Sequence, residues 1–123
     1  MIEAETIPRP LGRGCSFLIH EYAFAFINRA IKKEGKKVVV THHLPSPLCN
    51  APEFMGSILN DAFCVDKTDF IEKSDINCWI YGHSHRNLAD FEINGTQLLT
   101  NQMGYVAWNE QHSFQLDKFI EIN

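Results

Sequence analysis

A chain of 123 residues with 45% apolar residues, 15 acidic and 11 basic side chains has the length and content of one globular domain with a core of its own. The net charge of −4 and pI near 5.8 argue against a dedicated nucleic-acid binder, which would carry a basic stripe. No apolar run approaches the roughly 20 residues of a membrane span, and FLIHEYAFAFI is interrupted by His20 and Glu21.

Residues 1–15 hold two prolines and two glycines without periodic patterning and read as a loose arm, lacking the apolar centre of a signal peptide. Residues 16–123 form the domain portion. From 16 to 34, Ile19, Ala23, Phe26, Ile27, Ala30 and Ile31 recur at helical spacing, with Ser16 as a start signal and Gly35 as a stop. The cluster KKEGKK at 32–37 falls where cations complement a helix C-terminus, a more economical reading than a phosphate-binding patch. KKVVVT, 36–41, is a β-branched run typical of a strand covered on both faces.

LPSPLCNAP, 44–52, is a proline-rich loop, and residues 53–63 suggest a short helix. Asp66 offers a cap ahead of KTDFIEKS, whose Phe70 and Ile71 can face a core. CWIYG, 78–82, is a second strand of the covered type. LADFEI and TQLLTN alternate about Asn94-Gly95, the strongest short-range hairpin signal, and the final DKFIEI alternates as a further edge strand. The expected class is α/β, a mixed β-sheet with flanking helices. Cysteines 15, 49, 64 and 78 form no Cys-x-x-Cys pair, and free thiols in a reducing cytoplasm are the default.

Histidines fall at two matched places. His42 and His43 directly follow the first strand in VVVTHHLPS, and His83 and His85 follow the second in WIYGHSH. If those strands are parallel neighbours, their C-terminal ends share one rim, where open α/β sheets place ligands. In an extended segment His83 and His85 point to one side, roughly 6–7 Å apart along the chain, suited to two metal ions about 3.5–4 Å apart. His42 and His43, being adjacent, point oppositely, so one of them should reach the site. Gly82 permits a sharp exit and a close approach. A lone His-x-His in a loop is more often surface decoration, but two groups each ending an apolar strand favour a shared ligand role. His20 and His112 lack that context.

The segments VVVTHHLPS and YGHSH, with FLIHEYAFAFINRAI and LLTNQMGY, resemble the calcineurin-like metallophosphoesterases, and the likeness covers most of residues 16–123. The resemblance implies half of a β-sandwich flanked by helices and a two-metal centre of Mn, Fe or Zn hydrolysing a phosphate ester. It places His42 and His83 on one metal and His85 on the other, with His43 and Ser46 near the substrate phosphate. The family's Asp-x-His, Gly-Asp-x-x-Asp and Gly-Asn-His motifs are absent, so the chain resembles the C-terminal half of such an enzyme, truncated or split, and no catalytic residue is assigned.

Charge leads to the same expectation. Two close cations require anionic ligands, three imidazoles supply none, and Asp61, Asp66, Asp69 and Asp90 read as cap or surface. The chain alone is therefore expected to be inactive, and to form a homo-oligomer or pair with a separately encoded N-terminal half that covers Val38, Val39, Val40, Trp79 and Ile80. Neither nucleic acid nor membrane is an expected partner. The alternative is a non-catalytic metal-binding or interaction module, with one zinc or nickel ion on His42 and His83, joined by His43 or His85. A third reading makes all the histidines structural.

Overall fold

The structure, a computed structural model, describes residues 16–123; the expected arm at 1–15 lies outside them. The chain divides into two compact units, residues 1–36 and 37–123. In the first, helix α1 spans Ser16–Ala30. Of its described side chains, Ala23, Phe26, Ile27 and Ala30 are half-buried and Glu21, Tyr22, Asn28 and Arg29 exposed, as the spacing predicts. The helix stops short of 34. Lys32 and Lys33 donate to the carbonyls of Arg29 and Ala30, tightening the last turn, and Gly35 takes a left-handed φ of 105° that no helix continues.

In the second unit the sheet has four strands: β1 Val38–Val40, β2 Cys78–Ile80, β3 Phe91–Ile93 and β4 Thr96–Leu99. Their order is β1-β2-β4-β3. β1 pairs parallel with β2, with Val40 opposite Ile80, and β2 pairs parallel with β4. The hairpin closes β3 antiparallel onto β4, with Ile93 opposite Thr96. Asn94 and Gly95 both take positive φ (45° and 88°), the conformation a two-residue hairpin needs to match strand twist. The mixed α/β character read from the sequence is the observed one.

Position in the sheet decides burial. Central β2 buries consecutive residues, Cys78 and Trp79, and β4 buries Thr96, Leu98 and Leu99. β1 lies at an edge: Val39 is buried, but Val40 is 70% exposed, so this strand is not covered on both faces. Trp79, expected among the exposed residues, is instead core, its indole N–H donating to Thr41 Oγ1 at 2.9 Å. Leu44, Ile71, Ile76 and Tyr81 complete much of the core, each buried apolar side chain contributing about 1.5–3 kcal/mol.

Between the strands the chain is built from short turns. The expected helix over 53–63 is split into a 3-10 turn at Pro52–Phe54 and a single helical turn, α2, at Asn60–Phe63. Gly56 separates them with a φ of 82°. Leu44 bridges to the 63–65 segment through backbone bonds of 3.0 Å in both directions. Helix α3, Thr68–Glu72, starts where expected: Asp66 Oδ1 accepts from the backbone N–H and the hydroxyl of Thr68, and Ile71 is fully buried. Residues 117–122 form no strand, contrary to their alternation. Among the described residues β3 pairs only with β4, and Lys118 instead reaches Asp90 and the Thr100 carbonyl. No helix of the described residues is long and apolar enough to cross a membrane.

Candidate metal centre

Parallel pairing of β1 and β2 carries their C-terminal ends to one rim. The ladder continues past both strands, with Thr41 N donating to Ile80 O at 3.0 Å and Gly82 N to His42 O at 3.2 Å. By that register His42 stands opposite Gly82, one residue before His83. The facing nitrogens of the two histidines, His42 Nε2 and His83 Nδ1, lie 3.0 Å apart. Two donors about 2.0–2.1 Å from a shared ion stand at close to that separation when the angle at the ion is near a right angle.

His43 joins them. Donor atoms of His42, His43 and His83 all lie within 4.8 Å of one another. The rings of His42 and His43 each meet the His83 ring edge-on, at 4.9 and 5.0 Å. Alternation had placed the two adjacent histidines on opposite sides, but it holds only in extended backbone, and the strand ends at Val40. Beyond it the chain bends, fixed by Thr41 Oγ1 donating to His43 O at 2.8 Å. Through its bond with Thr41, the core Trp79 thus braces the bend that brings both rings to the cluster.

The second histidine pair also departs from the extended picture. His83 and His85 take φ values of 72° and 54°, the left-handed region that side-chain-bearing residues seldom adopt. Their rings consequently have different neighbours. His83 faces His42 and His43 and stacks on Phe63 at 5.0 Å; His85 directs Nδ1 to Glu110 Oε2 at 2.9 Å and lies edge-on to Tyr105 at 4.5 Å. Gly82 is not what permits this exit. Its φ is unexceptional, and a Cβ there would make only ordinary contact, 3.5 Å from His42 O. The unusual backbone falls on the histidines themselves.

Ser46, which the resemblance sets near a phosphate, is fully buried. It accepts from Leu48 N at 3.2 Å and shares a 2.8 Å bond with Thr68 Oγ1, capping the 3-10 turn Pro47–Cys49. Leu44 lies in the core, whereas Leu48 and Met55 are exposed and Phe54 carries the Arg86 guanidinium 5.6 Å above its ring. His112 is exposed.

Two residues given no role in the sequence reading hold the segment around His85. Gln102 is buried and accepts from His85 N at 2.7 Å, while its amide donates to Arg86 O, Thr100 Oγ1 and Ser84 Oγ. Glu110 accepts from Tyr105 N, from the His85 ring and from Arg86, and Arg86 also binds Glu53. No local pattern signals either residue, since their bonds to residues 84–86 span 16 or more positions of sequence.

The three imidazoles form a group that could hold a metal ion. Burial, then the neighbouring His42 and His85 charges, lowers the His83 pKa below 6.5, favouring the neutral ring that ligates. Burial pushes the Cys49 thiol up to about 12 and raises Cys64 and Cys78, so these thiols are poor ligands. Among the described residues no carboxylate belongs to the cluster: Asp61 and Asp69 are exposed, Asp66 caps α3 and Asp90 pairs with Lys118. The set therefore suits one ion with water completing its shell, and a second ion would call for acidic ligands from elsewhere. Comparison with protein-family models, curated proteins and solved structures finds no match.

Proposed function

We propose that this chain supplies the histidine side of a metal-dependent phosphoesterase centre, holding a divalent transition metal on His42, His43 and His83 with His85 alongside. One observation carries the reading: donor atoms of three histidines from two parallel strand ends lie within 4.8 Å of one another. The motif likeness of VVVTHHLPS and YGHSH supplies the reaction class. When bound, a divalent ion of the Mn, Fe or Zn type supplies Lewis acidity toward a phosphoryl oxygen and activation of water.

The protein's own groups prepare that site. Burial, then the electrostatic influence of His42 and His85, favours the neutral form of His83, and Phe63 stacks on one face of its ring. His42 is exposed, leaving the cluster open to a ligand from solvent. Phosphoester hydrolysis then depends on acidic ligands from outside the described residues, and those residues by themselves are inactive. The free state of Cys49, Cys64 and Cys78 accords with a reducing, cytoplasmic setting.

A second reading, a non-catalytic mononuclear metal module, is favoured by the absence of a carboxylate from the cluster among the described residues. Hydrolysis of bis-p-nitrophenyl phosphate in Mn²⁺ or Zn²⁺ separates the two. The phosphoesterase reading predicts no turnover by the chain alone and metal-dependent turnover when a polypeptide bearing Asp-x-His, Gly-Asp-x-x-Asp and Gly-Asn-His segments binds to it. A complex that takes up metal yet cleaves no phosphoester would leave the mononuclear reading standing.

A further inference from the structure

We propose that Glu110 is a positioning residue for His85, holding its imidazole in the tautomer that presents Nε2 as a metal donor; this deepens, and rests on, the metal-centre reading above. A neutral imidazole has one N–H and one lone pair, and an ionised carboxylate can only accept. Glu110 Oε2 lies 2.9 Å from His85 Nδ1, so Nδ1 carries the proton and the lone pair falls on Nε2. Histidines that bind metals almost always give their other N–H to such a partner, which fixes the ring and raises its basicity.

The contact is built rather than incidental. Glu110 is itself fixed by Tyr105 N at 2.7 Å and Arg86 Nη1 at 3.2 Å. The His85 backbone is pinned on both sides, its N–H to Gln102 Oε1 at 2.7 Å and its carbonyl accepting from Arg86 Nη1 at 3.0 Å. The Tyr105 ring meets the imidazole edge-on. Backbone is also spent on the contact. His85 and Gly104 both take left-handed φ, 54° and 66°, and a Cβ on Gly104 would sit 2.6 Å from Glu110 Cβ and 3.2 Å from His85 Cβ. Only glycine at 104 lets Glu110 and His85 approach as they do.

Long-range ¹H–¹⁵N NMR of the metal-free full chain at pH 8 reads the tautomer directly. His85 is expected in the Nδ1–H form in the wild type and in Glu110→Gln, whose amide oxygen can still accept, and to lose that preference in Glu110→Ala. The tautomer reports the hydrogen bond itself, and the Zn²⁺ titration separates a metal-positioning role from a merely structural one. A wild-type ring protonated on Nε2, or an unchanged tautomer in Glu110→Ala, overturns the proposal; if Glu110→Ala does not fold, the wild-type and Glu110→Gln tautomers decide. Zn²⁺ is then titrated into the same samples. The His85 signals should respond at about 10–100-fold higher Zn²⁺ in Glu110→Ala, and equal midpoints would refute the positioning role. If no wild-type histidine responds to Zn²⁺, the metal-centre reading fails, while the tautomer still reports whether Glu110 sets the ring.

Discussion

Replacing Gly104 by alanine tests whether the His85–Glu110 contact constrains the backbone. Two costs add. A left-handed φ of 66° costs an alanine about 1–2 kcal/mol relative to glycine. The new Cβ would also stand 2.6 Å from the root of the Glu110 side chain and 2.8 Å from its Oε2, and relieving such overpacking costs about 1–3 kcal/mol. Because the nearest atom is Glu110 Cβ, rotating the carboxylate away cannot remove the clash. The expected loss is about 2–5 kcal/mol, a large share of a typical 5–15 kcal/mol domain stability. Gly82→Ala provides the comparison: its φ is unexceptional and its Cβ would meet only His42 O at 3.5 Å and Gln102 Oε1 at 4.0 Å. Urea denaturation monitored by Trp fluorescence, with midpoint and slope both fitted, gives the two values. Gly104→Ala within about 0.5 kcal/mol of wild type, or Gly82→Ala as costly as Gly104→Ala, would refute the reasoning.

Gln102→Leu keeps much of the volume but removes the partner of Arg86 O, Thr100 Oγ1 and the His85 N–H; about 1–3 kcal/mol of stability should be lost by the same denaturation assay, since buried polar groups are left unpaired. Asn94-Gly95 should resist change for conformational reasons alone: Gly95→Ala meets no atom within 4 Å, so thermal denaturation should register only the left-handed penalty of about 1–2 kcal/mol. In the metal-free chain the His83 pKa is lowered in the folded state, so the unfolded state binds more protons between that value and 6.5. The His83 contribution to stability is therefore present above pH 6.5 and is lost as pH falls through the folded pKa. An NMR titration in which His83 protonates above 6.5 would contradict this.

The parts of the fold legible in the sequence are those set by local chemistry. The valine run 38–40, the covered CWI segment and the Asn94-Gly95 turn each occupy the expected place, and parallel pairing of the first two brings His42 beside His83. What escaped depended on partners distant in sequence. Val40 is 70% exposed because its face of β1 is not covered by the described residues, which a strand does not reveal about itself. DKFIEI alternates like a strand but has no ladder to join, and its Lys118 is held by Asp90. His43 reaches the cluster and His85 turns to Glu110 because extended alternation ends where the strands end, while φ of 72° and 54° at His83 and His85 re-aims both rings. Gln102 and Glu110 carried no signature because their function appears only after residues 83–87 and 100–110 are brought together.

The convergence of His42, His43 and His83 is tested most directly by calorimetric titration of Zn²⁺ into the full chain at pH 7.5, beside His83→Ala and the exposed-residue control His112→Ala. One ion should bind per wild-type chain and per His112→Ala chain with equal affinity. Loss of a ligand should cost at least the roughly 100-fold that losing a ligand's outer partner can cost, so His83→Ala should bind at least about 100-fold more weakly. Unchanged affinity in His83→Ala, or no saturable binding by the wild type, would contradict the account.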